Sequence, residues 1–182
     1  WGIDKVLLAA GRVPATAHLG LEDVGVTFDE RGIPTDAYGQ TNIKNIYAIG
    51  DVNPTSNFTH SANAQGRRLV PRLAFSQVFS RLPAFGSQPA YPSATFSDPE
   101  VATVGGTLEQ LHQRYPPELI HTVRYDLAKT DKGYTESLKH GIVIIHAMRL
   151  TGRILGATIV APKASEMISL ITFAMANHHS LY

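Results

Sequence analysis

The sequence predicts an α+β protein in two parts. Residues 1–90 read as the C-terminal part of an α/β domain with a connecting helix and linker, and residues 91–182 as an antiparallel sheet with helices. Three observations support this. A short apolar run, Ile46 to Ile49, ends in Gly50-Asp51 and is followed from Thr59 by a helical pattern. The stretch Leu82-Pro83-Ala84-Phe85-Gly86-Ser87-Gln88-Pro89-Ala90-Tyr91-Pro92 has the Pro, Gly and Ser content of a connection between domains. Beyond it, strand-like segments separated by turns are closed by one helix with a broad apolar face.

In the first part, Lys5 to Ala10 is apolar after its first residue and runs into Gly11-Arg12-Val13-Pro14, which predicts a buried strand entering a turn. Arg12 suits either a cofactor contact or a brace for that loop. Leu19 to Val26 predicts a short helical turn stopped by Gly25. Ile33-Pro34-Thr35-Asp36 predicts a short edge strand, because proline donates no ladder hydrogen bond. Ile46 to Ile49 predicts a fully buried strand. From Thr59 the apolar positions Ala62, Leu69, Leu73, Phe75 and Phe79 predict a helix, and Pro71 predicts a kink or break near Val70, since an internal proline costs about 3 kcal/mol.

In the second part, Ala94 to Phe96 and Val101 to Val104 predict strands separated by the turn Ser97-Asp98-Pro99-Glu100. Thr107-Leu108-Glu109-Gln110 has the form of a capping box, in which the Thr side chain and the Gln three residues on each serve an orphan amide. It predicts a short helix to about Arg114. His121 to Tyr125, Gly141 to Arg149 and Ile154 to Val160 are further strands, the last two joined tightly at Thr151-Gly152. Pro162 suits the first turn of a final helix, with Glu166 where the helix dipole favours negative charge. Its face of Met167, Ile168, Leu170, Ile171, Ala174 and Met175 is wide enough for a sheet on one side and a second subunit on the other.

Composition excludes several functions. A formal net charge of +1 with no Lys/Arg block gives no electrostatic argument for nucleic acid or an anionic membrane surface. No apolar stretch approaches the roughly 18 residues of a membrane-spanning helix, and residues 1–5 lack a signal pattern, so a cytoplasmic protein is expected. The absence of cysteine rules out a disulfide framework, thiolate zinc and any dithiol redox centre built by these residues. The adjacent His178 and His179 point in different directions on a helix and have no nearby carboxylate, which argues against a metal site.

The candidate chemistry lies at Gly50-Asp51. Gly50 removes a side chain where backbone would approach a ligand, and Asp51 projects from a carboxyl end of the kind where open α/β sheets bind ligands. An ionised aspartate only accepts hydrogen bonds, which suits a sugar or ribityl hydroxyl; the competing reading is a turn residue or cap. Thr41 to Val52 resembles the second flavin-binding motif of the FAD-dependent pyridine nucleotide-disulfide oxidoreductases, the family of dihydrolipoamide dehydrogenase, glutathione reductase and mercuric reductase. The resemblance implies that Asp51 holds the ribityl chain of FAD and that Thr41 opens the motif. Ala10, Gly11, Arg12 and Pro14 resemble a second family segment, with Ala15 where asparagine usually stands. Phe58 to Arg67 resembles the start of the helix whose amino end faces the flavin pyrimidine ring, where Thr59 and His60 would act through backbone amides. Thr59 as a plain N-cap is compatible with that role.

Tyr91 to Gly105 and Gly152 to Ile168 resemble the opening and closing segments of the same family's dimerisation domain, so the resemblance covers nearly the whole chain and implies a homodimer through residues 91–182. Lys129-Thr130-Asp131 and the closing motif look more like dihydrolipoamide dehydrogenase and mercuric reductase than glutathione reductase. The family's glycine fingerprints for FAD and NAD(P)H, its redox cysteine pair and its catalytic His-Pro and Glu segment have no counterpart here, so no catalytic residue is assigned. The sequence reads as a C-terminal portion of an FAD-dependent, NAD(P)H-using oxidoreductase, inactive alone. The alternative is a non-catalytic dimerisation or interaction module derived from that family.

Overall fold

The computed structural model describes residues 2–54, 58–75 and 91–182. The chain divides into two compact units, Trp1–Gly86 and Ser87–Tyr182. No helix among the described residues is long and apolar enough to cross a membrane.

The first unit departs from the strands expected of it. Lys5 to Ala10 forms no strand, and Val6, Leu7 and Leu8 are exposed, Leu8 to 89%. A buried strand needs neighbours for its backbone groups and a layer over its side chains, and no described residue pairs with this segment. Ile46 to Ile49 makes one isolated bridge, Tyr47 to Gln40; Ala48 is buried but Ile49 is not. Ile33 to Asp36 is likewise no strand. Ile33 donates one hydrogen bond to the Val52 carbonyl (2.8 Å), Pro34 has no donor, and the Asp36 carboxylate takes the amides of Tyr38 and Gln40 (2.8 and 2.9 Å) to build a local turn instead.

What organises this unit is turns. Leu21 to Gly25 is a helical turn closed by the paired bonds of a Schellman stop: the Gly25 amide donates to Glu22 (3.1 Å) and the Val26 amide to Leu21 (2.9 Å), with Gly25 at φ +73°. The stop puts Leu21 against Val26, and these two form a small core with Ile33 and Ala48. Asn42 ties the next loop to it, its Oδ1 accepting from the Thr27 amide and its Nδ2 donating to the Gly25 carbonyl.

Helix α1 spans Thr59–Ala74 and is continuous through Pro71. The expected break is absent because Pro71 lies in the last turn. The carbonyl that Pro71 leaves without its i+4 amide belongs to Arg67, an exposed residue, and the Phe75 amide still reaches the Pro71 carbonyl (2.9 Å). Arg72 stacks over the Tyr38 ring at 3.5 Å, bracing α1 against the Asp36 turn. Phe79 and the segment from Leu82 to Ala90 lie outside the described residues.

The second unit is a five-stranded antiparallel sheet in the order β1-β2-β5-β4-β3, from β1 (Ser93–Thr95), β2 (Glu100–Gly105), β3 (Ile120–Asp126), β4 (Ile142–Met148) and β5 (Ile154–Ala161). β4 and β5 form the expected hairpin, with Gly152 at φ +67° and a register shift that leaves Leu155 opposite no partner. Helix α2 (Leu108–His112) starts at the capping box: the Gln110 amide donates to Thr107 Oγ1 (3.3 Å) and the Thr107 amide to Gln110 Oε1 (3.1 Å). A short helix α3 (Asp131–Thr135) is capped by Thr130, and α4 (Ala164–Ala176) closes the unit. Pro162 lies outside α4, because Lys163, at φ +60°, is the N-cap; Glu166 does sit in the first turn.

The main core lies between α4 and the sheet: Ala164 and Ile168 against Ala102, Val104, Ala157, Ile159 and Ala161. Small residues on β5 let the helix approach closely, and Ile159 and Ile168 fill what remains. A second cluster of Leu111, Ile120 and Leu155 seats α2.

Candidate functional site

The Gly50-Asp51 turn is built from three sides. Gly50–Val52 forms one 3-10 turn, closed by the Asn53 amide donating to the Gly50 carbonyl (2.9 Å). Asn53 is itself buried, and its Nδ2 donates to the Ala48 carbonyl (3.1 Å) and to Thr35 Oγ1 (2.6 Å). The chain returns past Gly32, at φ +117°, where an added Cβ would fall on the Val52 carbonyl oxygen. Only glycine allows that approach.

Helix α1 supplies the third side. The Gly50 amide donates to Gln65 Oε1 at 2.7 Å, and Gln65 Nε2 reaches Ser61 Oγ, fully buried one helical turn earlier. Gly50 adopts φ +74°, and a Cβ there would stand 3.3 Å from that of Ala62. The turn is thus clamped to the first two turns of α1 while Asp51 stays exposed. Such a carboxylate, on a braced turn, can accept hydrogen bonds from a ligand hydroxyl.

Helix α1 begins one residue earlier than the Thr59 cap expected. Phe58 is the N-cap, with φ −127° and no side-chain cap bond, and Thr59 is the first helical residue. The first ladder bond runs from the Ala62 amide to the Phe58 carbonyl (3.0 Å), so the amides of Thr59, His60 and Ser61 precede the ladder. Thr59 and His60 are exposed, and the His60 ring stacks on Phe58 with centroids 5.5 Å apart. Two residues central to this geometry, Gln65 and Asn53, were not apparent from sequence. Their only local signals are Gln65 four residues after Ser61 on one helix face and Asn53 three residues after Gly50.

Other residues of interest have structural surroundings. Arg12 is exposed. Thr130 Oγ1 accepts from the Gly133 amide (2.9 Å) and donates to the Leu127 carbonyl (2.7 Å). His178 has φ +57°, and the His179 ring lies 6.2 Å from Phe173. In the second unit, burial and the nearby His112 hold His146 below its ordinary pKa, while its Nδ1 meets Thr122 Oγ1 at 2.9 Å.

Comparison with known proteins accounts for both units. Residues 2–66 match the family model described as pyridine nucleotide-disulphide oxidoreductase, and residues 91–181 match its dimerisation domain. Dihydrolipoyl dehydrogenase of Chlamydia trachomatis is 35% identical over 98% of this chain and 37% of its own length. Mitochondrial dihydrolipoyl dehydrogenase of Sus scrofa is 35% identical over 94% of this chain and 32% of its own. Among solved structures, LpdA from Mycobacterium tuberculosis has a TM-score of 0.77 at 28% identity, covering 94% of this chain and 36% of that one. The Cu(II) complex of the HOCl-induced flavoprotein disulfide reductase RclA from Escherichia coli has a TM-score of 0.74 at 26% identity, covering 94% and 38%. The chain therefore spans about a third of the length of the curated relatives it matches. With family models matched in both units, the chain belongs to the pyridine nucleotide-disulphide oxidoreductase family.

Proposed function

We propose that residues 1–90 form one wall of an FAD site and residues 91–182 a homodimer interface, in an oxidoreductase that passes electrons from NAD(P)H through flavin to a disulfide or related acceptor. The observation that carries the flavin reading is the clamp of the Gly50 turn onto α1 by the Gly50–Gln65 bond of 2.7 Å. The residues present fit the group. Gly50 leaves the backbone bare, Asp51 offers an exposed acceptor to a ribityl hydroxyl, and the Thr59 and His60 amides open a helix of 16 residues whose dipole favours negative charge at that end. FAD, when bound, supplies the hydride and electron chemistry. The chain's own part is to hold and orient it.

The dimer reading rests on α4 within a unit that matches a dimerisation domain. Its inner side is buried in the core, yet Met167, Leu170 and Phe173 stand on the outer side, Leu170 exposed to 75% and Phe173 to 60%. Large apolar side chains on the outer face of a core helix suit a two-fold contact with a second copy.

The flavin reading is tested by Asp51→Ala in a full-length protein carrying this chain. A hydrogen bond to a charged acceptor is worth about 1.5–3 kcal/mol, so FAD retention should weaken by about 10- to 100-fold. Unchanged flavin content after desalting would sink the role given to Asp51.

A further inference from the structure

We infer that Glu100 is a positioning residue for the dimer contact, setting the first turn of α4 from the adjoining end of β2, on the face of the sheet that the helix covers; this rests on the interface reading above. Helix α4 begins without a local cap. Its N-cap, Lys163, is left-handed and makes no side-chain cap bond. The Glu166 and Met167 amides both turn back to the Lys163 carbonyl (3.1 Å each). The Ser165 amide has no such partner and donates instead to Glu100 Oε2 at 2.9 Å.

Glu100 is the first residue of β2 and pairs with Ala161, the last of β5. Only Pro162 and Lys163 separate that strand end from α4. The carboxylate therefore reaches the helix from a fixed point on the sheet, and as an ion beside a helix N-terminus it makes a charge-assisted bond. Farther along, Ile168 is locked in the core at 2% exposure. Met167 lies between these two anchors, in the first turn, and opens the outer stripe that continues through Leu170 and Phe173. Without the Glu100 bond the Ser165 amide loses its acceptor, buried Ala164 is left as the one core anchor ahead of Met167, and the leading residue of the stripe is held less firmly until a partner re-orders it. Association would then carry the cost of that ordering once per subunit.

The test measures self-association of the 182-residue chain by sedimentation, with amide exchange read at Ser165. Leu170→Asp probes the interface alone. Glu100→Ala should raise the dimer Kd about tenfold and speed exchange of the Ser165 amide, as expected for loss of one cap per subunit. Glu100→Gln keeps an acceptor without its charge and should raise Kd about threefold. Thr107→Ala removes a cap of similar kind from α2 and should leave Kd unchanged, which separates positioning from general loss of stability. If Leu170→Asp impairs dimerisation while Glu100→Ala keeps the parental Kd, the inference is overturned. Should the alanine variant not fold, a parental Kd for Glu100→Gln overturns it equally. A chain that does not self-associate, or dimerises unchanged as Leu170→Asp, overturns the interface reading itself.

Discussion

Glu100 and Ser165, 65 residues apart in sequence, are joined by a 2.9 Å hydrogen bond from the Ser165 amide to the Glu100 carboxylate, tying the start of β2 to the start of α4. The Ser165 amide, and after it the Ser165 side chain, hold the Glu100 carboxyl below its ordinary pKa. In acid, the unfolded chain therefore takes up this proton before the folded one. The stabilisation is present above the ordinary carboxylate value and is lost as pH falls through the lower folded value. Urea midpoints of the parent and Glu100→Gln should accordingly differ at neutral pH and converge in acid. A gap that stays constant from neutral pH to pH ~3, below the ordinary carboxylate value, would contradict this account.

His146 predicts a second and separate pH dependence. Burial in β4, then repulsion from His112, lowers its pKa, so the unfolded state binds the proton first as pH falls. Its contribution is complete above the ordinary histidine value of 6.5 and declines below it, levelling off once the folded histidine also protonates. The midpoint for unfolding the second unit should fall between about pH 7 and pH 5. That slope should flatten in His146→Gln, as followed by denaturant titration at each pH.

The capping box of α2 is open to direct measurement. Thr107→Ala removes the acceptor for the Gln110 amide and should cost about 1 kcal/mol, or roughly 4–8 °C in Tm for a unit of this size. Gln110→Ala leaves the Thr107 acceptor in place and should cost less. Calorimetry showing the reverse order would place the stabilising contact elsewhere.

Gly32→Ala should be the more damaging change near the candidate site. At φ +117° the new Cβ would be directed onto the Val52 carbonyl oxygen, whose own hydrogen bond from Ile33 holds the segment in place. Strain in such a region costs on the order of 1–3 kcal/mol, before any clash is relieved. Equilibrium unfolding that leaves this variant as stable as the parent would mean the Gly32 to Val52 approach is not maintained in solution.

The second unit was largely legible. Thr107 and Gln110 announce a helix start three residues apart, Thr151-Gly152 announces a tight turn, and the apolar runs within Gly141 to Arg149 and Ile154 to Val160 give the strands on either side of it; each signal is local and is carried by a few residues. The first unit was read less well. The apolar runs Lys5 to Ala10 and Ile46 to Ile49 look like buried strands because periodicity reports the surroundings a segment would suit. It does not report whether neighbours pair with it, and here Leu8 is exposed and Tyr47 makes a single bridge. Pro71 causes no break in α1 for a related reason. Its cost depends on its place in the helix and on whether the orphaned carbonyl can reach water.

By itself the sequence determined the family resemblance, the ordered strand and helix pattern of residues 91–182, the Gly25 stop and the position of the Gly50-Asp51 turn. All of these depend on residues close together in the chain, where backbone preference and side-chain capping act directly. Only the tertiary structure decided that Gln65 would clamp Gly50, that Asn53 would fill the space beneath the turn, and that Glu100 would cap α4. These bonds join residues 15, 5 and 65 positions apart, and each side chain is compatible with many partners until the fold brings one of them within 3.1 Å.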